Sequence, residues 1–186
     1  MDKWSLKKSG YDPESAAADG NRFLIANGYM GVRGTVEEAG SPSFPAINLA
    51  GVYDQYQNRW REPVNAPNSL YVKAFVNGKP MALGQAQPVS HSLEISYRHG
   101  IFRRETDFGP VELRSERIAS LAQPHLLASK LQLHFSEDSE VVLRTGISTD
   151  IWDINGPHLF DYRFETGDTL LCEAVTGEKH IPVAVA

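Results

Sequence analysis

The chain has 186 residues, 41% of them hydrophobic, and a formal net charge of −5. This is enough apolar material for one domain with a true core, and an acidic balance with no Lys/Arg run argues against nucleic acid as a partner. No apolar run reaches the ~18–20 residues of a membrane helix, Met1-Asp2-Lys3-Trp4 opens no signal peptide, and the single Cys172 has no internal disulfide partner, so the chain reads as soluble and cytoplasmic, without a membrane partner.

In chain order, the first element is a short helix. Asp12 is placed to cap it, Pro13 suits its first position, and Ala16–Ala18 carry it towards Gly20. "NGYMGVRGTVEE", Asn27 to Glu38, follows, with Gly28, Gly31 and Gly34 three residues apart. A P-loop needs Lys and Ser/Thr after its glycines, whereas Gly34 precedes Thr35-Val36. A dinucleotide fingerprint needs a helix to follow, and the prolines and glycine of "AGSPSFP", Ala39 to Pro45, break one. The glycines therefore predict a strand and turn where backbones approach closely. Arg33 within them is expected to make a hydrogen-bonded fork to a carboxylate or the backbone. Glu37 and Glu38 form an adjacent acidic pair. On a strand their side chains would leave on opposite faces, so a surface or interdomain loop is the expectation, and no catalytic residue is assigned.

"YDQYQNRWREP", Tyr53 to Pro63, mixes aromatic rings with Arg59 and Arg61, a composition suited to an interface. Asn77-Gly78 is a hairpin signal, since both residues tolerate positive φ. "SLEISYR" alternates, with Leu93, Ile95 and Tyr97 on one face. His99-Gly100 and Phe108-Gly109-Pro110 bound the next strand. "VELRSER" puts Val111 and Leu113 inward, with a phase slip before Ile118 that predicts a bulge. "LASKLQLHF" sends Leu127, Leu131, Leu133 and Phe135 to one side, with Leu131, Leu133 and Phe135 expected in the core. "SEDSE" is a turn before "VVLRTGI". Strands at this spacing with little helix predict an all-β antiparallel sandwich.

"DIWDINGPHLFDY", Asp150 to Tyr162, groups Trp152, Asp153, Asn155, His158 and Tyr162 around an Asn-Gly-Pro turn. Rings that stack on C–H faces, next to amides and carboxylates that bond hydroxyls, suit sugars. Trp152, Asp153, Asn155 and His158 are therefore candidates for substrate or interdomain contact. If the loop faces a missing partner, Trp152 or His158 is expected to be exposed. The six histidines show no metal spacing; His91 and His99 lie eight apart with no acidic partner evident, so neither metal nor cofactor is expected. "EKHIPVAVA", Glu178 to Ala186, reads as a strand without a terminator, the pattern of a longer protein cut short.

"NRFLIANGYMGVRGTVEE", "INLAGVYD", "VNGKPMAL" and "GIFRRETDFGPVELRSERIASLAQPHLLASKLQL" together resemble the N-terminal domain of glycoside hydrolase family 65, over nearly the whole chain. Ala26 stands where that family usually has glycine. The resemblance implies a galactose-mutarotase-like β-supersandwich spanning residues 1–186, with Asn27, Gly28, Gly31, Arg33 and Gly34 as a structural motif. It further implies that the catalytic (α/α)6 barrel lies outside this chain. The expected parent is an inverting disaccharide phosphorylase, homodimeric, acting on an α-linked glucose disaccharide with inorganic phosphate. This domain would be inactive alone, supporting the barrel and rimming its active site, and loops similar to 150–162 lie in the family where the sandwich meets the barrel. The competing readings are a free-standing carbohydrate-binding module, which would expose a planar row of aromatics, and a mutarotase-like epimerase. The latter needs paired His and Glu on one concave face, and the sequence spacing shows no such pair.

Overall fold

The computed structural model describes residues 3–40 and 43–186; the Ser41-Pro42 part of the helix-breaking stretch lies outside them. The chain is an antiparallel all-β sandwich with one short helix. Strand β1 (Ser5–Ser9) leads into a 3₁₀ turn, Pro13–Ser15, and helix α1 (Ala16–Arg22). Asp12 caps the turn through the Glu14 N–H at 3.0 Å. Next come β2 (Ile25–Ala26), β3 (Met30–Val32), β4 (Ile47–Gln55) and β5 (Arg61–Asn65), which form one four-stranded sheet in that order. Strands β6 (Asn68–Val76) and β7 (Lys79–Met81) meet at Asn77-Gly78, both with positive φ, as the sequence predicts.

A five-stranded sheet is built from β1, β8 (Ser90–Ser96), β9 (Ile101–Asp107), β10 (Val111–Ala119) and β11 (Leu127–Phe135), side by side. Strand β12 (Val141–Ser148) joins β6 and β7. The final sheet holds β13 (Leu159–Thr166), β14 (Leu170–Thr176) and β15 (Pro182–Val185).

The main core lies between the five- and four-stranded sheets. Leu93, Ile95 and Phe102 face Ile25, Met30, Val32, Ile47 and Val64, all buried, with Leu159, Ala174 and Val183 completing it. Each such side chain contributes about 1.5–3 kcal/mol by leaving water. A second cluster packs Ala74, Val76 and Met81 against Phe108 and Val111.

Three strand expectations need correction. Strand β10 pairs in unbroken register with both neighbours, so there is no bulge before Ile118. The alternation simply continues, with Arg117 taking the inward position and Ile118 left 39% exposed outside. Tyr97 lies beyond the end of β8 and is exposed, while Ser96 is the buried residue. Phe135 is 37% exposed and Leu131 and Leu133 are only half-buried, because β11 has a neighbour on one side alone.

The glycine motif has a distinct physical reason at each end. Gly28 turns the chain at φ +89°, with the Asn27 side chain accepting the Tyr29 and Met30 N–H groups and donating to the Ser120 and Pro124 carbonyls. At Gly34 a Cβ would lie 2.4 Å from the Phe23 Cβ and 2.6 Å from its carbonyl oxygen, so only glycine fits there. Gly31 sits in β3 with open space around it. Arg33 donates to the Asn21 side-chain oxygen at 2.6 Å and to the Ala17 carbonyl, tying this segment to α1.

Candidate functional site

The β4–β5 hairpin places Asp54 and Glu62 directly opposite each other, both pointing inward. Like charges facing across a strand pair repel, and a third group resolves the conflict here. His158, fully buried at the start of β13, puts Nε2 2.7 Å from Glu62 Oε1 and Nδ1 3.7 Å from Asp54 Oδ2.

The rest of the 150–162 loop is fastened to the same carboxylates. The Asn155 backbone N–H and side-chain amide donate to Glu62 at 2.8 and 3.0 Å, and that amide also reaches the Trp60 carbonyl. The Asn65 amide donates to the Trp152 carbonyl, and the Asn65 N–H to Asp153 at 3.4 Å. Asp54 accepts the N–H groups of Gly177 and Glu178 from the turn between β14 and β15. Gly156, at φ +136°, lies beneath the Tyr56 ring, which a Cβ would approach to 2.6 Å.

Burial pushes the Asp153 carboxyl up to about 6 and Glu62 adds to the rise, while His158 and the Asn65 N–H pull it down. Asp54, Glu62, Asp153 and His158 thus form a buried polar joint between the hairpin, the loop and the last sheet. It contains one histidine and three carboxylates, with no Lys or Arg among its hydrogen-bond partners in the described residues.

The four candidates for substrate or interdomain contact fall on the two sides of that joint. His158 is 0% exposed and Asn155 is buried, contrary to the expectation that His158 would be open to solvent. Asp153 is half-buried. Trp152 is also half-buried, with its ring 4.8 Å from that of Phe44. What faces outward instead is Trp60, 63% exposed, with Tyr53, Ile154 and Phe160. Arg61 beside them pairs with Glu178 at 2.6 Å.

Glu37 and Glu38 depart further from expectation. They occupy a turn, not a strand, so adjacency does not send them to opposite faces. Both are buried and converge on Arg104. Glu37 also accepts from Arg117 at 2.8 Å and from the Ser115 hydroxyl at 2.7 Å. Burial works to raise its carboxyl, but Arg117 and Arg104 overcome it and hold the group at about 2. The Arg104 guanidinium is pulled down by burial and raised overall by Glu38 and Glu37. A surface loop is therefore the wrong description; this is a charged network inside the sandwich.

Asp54, Glu62, Arg104 and Arg117 are buried charged residues that sequence reasoning does not single out. A signal for the arginines exists. In "IFRRETD" the phase that buries Phe102 also buries Arg104 and Thr106, and in "VELRSERIA" it buries Arg117. The His/Glu pairing absent from sequence spacing is supplied by the fold, once as His158 with Glu62 and again where His91 and Glu38 border one cavity.

Comparison with known proteins is consistent across three searches. The model of the glycosyl hydrolase family 65 N-terminal domain matches residues 6–186. Nigerose phosphorylase of Lachnoclostridium phytofermentans is 43% identical over 166 residues, 87% of this chain and 22% of that protein. The 1,2-alpha-glucosylglycerol phosphorylase of Bacillus selenitireducens is 29% identical over 187 residues, 97% of this chain and 25% of that protein. A solved structure described as a kojibiose phosphorylase from human microbiome superposes with a TM-score of 0.81 at 12% identity, over 93% of this chain and 25% of that one, which shows the shared fold. The chain spans about a quarter of the length of these two phosphorylases.

Proposed function

The chain belongs to glycosyl hydrolase family 65, as an N-terminal domain of the phosphorylase type, and from that premise we propose that it is the non-catalytic part of an inverting disaccharide phosphorylase. Residues 1–186 form the front of a β-supersandwich, and the acid that protonates the departing glycosidic oxygen is supplied by an (α/α)6 barrel elsewhere in the full-length protein. Such an enzyme needs one carboxylic acid, because phosphate is the nucleophile, where an inverting hydrolase needs two. Its substrates are an α-linked glucose disaccharide and inorganic phosphate, its setting is the cytoplasm, and it works as a homodimer.

The observation that carries this reading is the state of the buried carboxylates. Glu37 and Glu38 are held by arginines, Glu62 by His158 and Asn155, and Asp54 by backbone N–H groups. A general acid must reach the leaving oxygen within hydrogen-bond distance, and carboxylates committed in this way serve the scaffold instead. The outward aromatic face of the β4–β5 hairpin and the 150–162 loop, with Trp60, Tyr53 and Ile154, is the side that meets the barrel or its active-site rim.

The test is turnover by the isolated chain. With nigerose, maltose, kojibiose or trehalose and phosphate, no release of glucose 1-phosphate is expected. Turnover that disappears on substituting a residue of this chain, Glu38→Gln for example, would place the catalytic group here and overturn the proposal.

A further inference from the structure

Away from the joint, a cavity of about 440 Å³ opens between the start of α1, the segment 34–40 and β8. That size falls within the ~300–1,000 Å³ of small-molecule clefts. Leu93 and Val36 give it apolar wall, and Tyr11, Asp19, Glu38, Gln85 and His91 supply polar groups.

The inner carboxylates are already paired, while Asp12 stands at the exposed rim and accepts the Glu14 N–H. Lys8 binds Asp19, and Arg104 binds Glu38 through both carboxylate oxygens. A third contact to Glu38 comes from the Leu83 N–H at 3.0 Å. These contacts use three of the roughly four acceptor positions of a carboxylate, leaving one for a ligand donor.

His91 is held in place by a short chain of contacts. Arg104 Nε donates to Thr106 Oγ1 at 2.8 Å. That hydroxyl lies 2.8 Å from His91 Nδ1, which anchors the ring at the cavity wall. The ring stays neutral: burial, with Arg104 and Lys8 close by, lowers it to about 4. Tyr11 stands edge-on to it, ring centroids 5.9 Å apart, and its hydroxyl can both give and accept.

A cavity with a neutral imidazole, an acceptor position, an amphoteric hydroxyl and paired inner carboxylates discriminates among ligands. A cation gains little where the inner carboxylates, Asp19 and Glu38, have their own counterions, and an anion would sit against carboxylates. A group that both donates and accepts without charge matches every feature. We propose that this cavity is a non-catalytic binding site for a neutral polyhydroxylated ligand, a single sugar ring or comparable polyol, held between Tyr11, Glu38 and His91. The site is separate from the outward hairpin face, and it stands whether or not the full-length protein is a phosphorylase.

The experiment is a titration of the chain, its fold verified by near-ultraviolet circular dichroism, with glucose, nigerose and glycerol, and in parallel with spermidine and acetate, followed by NMR shifts of the His91 and Tyr11 rings. Saturable binding of a sugar or glycerol is expected, without response to spermidine or acetate. Tyr11→Ala should weaken it about tenfold, the scale of one lost hydrogen bond plus contact, and Ala16→Trp, which fills the cavity from α1, should abolish it while the dichroism is retained. Gln85→Ala, at an exposed position, gives a second reading if Tyr11→Ala fails to fold, with an expected loss of about threefold. The absence of saturable binding, a preference for spermidine or acetate, or affinity unchanged in Ala16→Trp would overturn the proposal.

Discussion

Glu37 and Glu38 meet two arginines in the middle of the sandwich, whereas Asp54, Glu62 and Asp153 meet a single histidine at its margin. Both clusters remove carboxylates from water, and in both the desolvation cost is offset by tight partners. The difference lies in the counterion. A guanidinium keeps its charge at any pH a protein survives, so the central network is a permanent lock between the 34–40 turn and strands β9 and β10. In the joint, burial displaces the Asp153 carboxyl to about 6. The marginal joint therefore responds to pH through that carboxyl, and it is the joint that carries the outward aromatic hairpin.

The largest effect expected is at the central lock. Glu37→Gln leaves Arg117 and part of Arg104 without their counterion at a fully buried position, and should lower stability by about 3–5 kcal/mol, read by urea denaturation. A loss below about 1 kcal/mol would mean that the network is not what joins the turn to the sheet.

Glu62→Ala comes next. It strands the Asn155 N–H and His158 Nε2 and leaves the Asn155 amide only the Trp60 carbonyl, and buried orphans of this kind cost about 1–3 kcal/mol. Loss of order in the 150–162 loop, seen as faster amide exchange there than in β9 or β10, should accompany it. Uniform exchange across both regions would erase the distinction between lock and joint.

The smaller effect is one of pH. Asp153 has a folded pKa raised to about 6, so its contribution to stability is present below about pH 4 and is lost as pH rises through 6. His91, lowered to about 4, works the other way: its contribution is present above pH 6.5 and is lost as pH falls through 4. Over this shared window the two oppose each other, while Glu37, at about 2, adds no slope above its ordinary range. Asp153→Asn removes one side, so melting temperature should climb more steeply between pH 4 and 6 in the variant than in the parent chain. Parallel pH profiles would contradict the displaced Asp153.

The sequence showed the strands and their inward apolar faces wherever alternation was clean, as at Leu93 and Ile95 or Val111 and Leu113. The Asn77-Gly78 turn and the Asp12-Pro13 helix start were legible because local chemistry decides them. The polar interior was not. Arg104 and Arg117 occupy core-phase positions, and a rule that assigns charged residues to solvent reads Arg117 as a slip of register. Glu37 and Glu38 were judged by strand geometry that a turn does not obey. The 150–162 loop stands out in the sequence, but whether His158 points out or in depends on Asp54 and Glu62, about a hundred residues earlier in the chain, and no local pattern contains that.

The central claim is that the joint is scaffold and the hairpin face above it is functional. Trp60→Ala in the full-length protein tests this most directly, through steady-state phosphorolysis of nigerose, maltose and kojibiose beside thermal unfolding. Trp60 is 63% exposed, so its loss should alter stability by no more than about 0.5 kcal/mol. Turnover of the preferred disaccharide should nevertheless fall, by up to about a hundredfold if positioning at the rim is disturbed by ~1 Å. Unchanged kcat/KM, or a melting temperature that falls as sharply as in Glu62→Ala, would contradict the account.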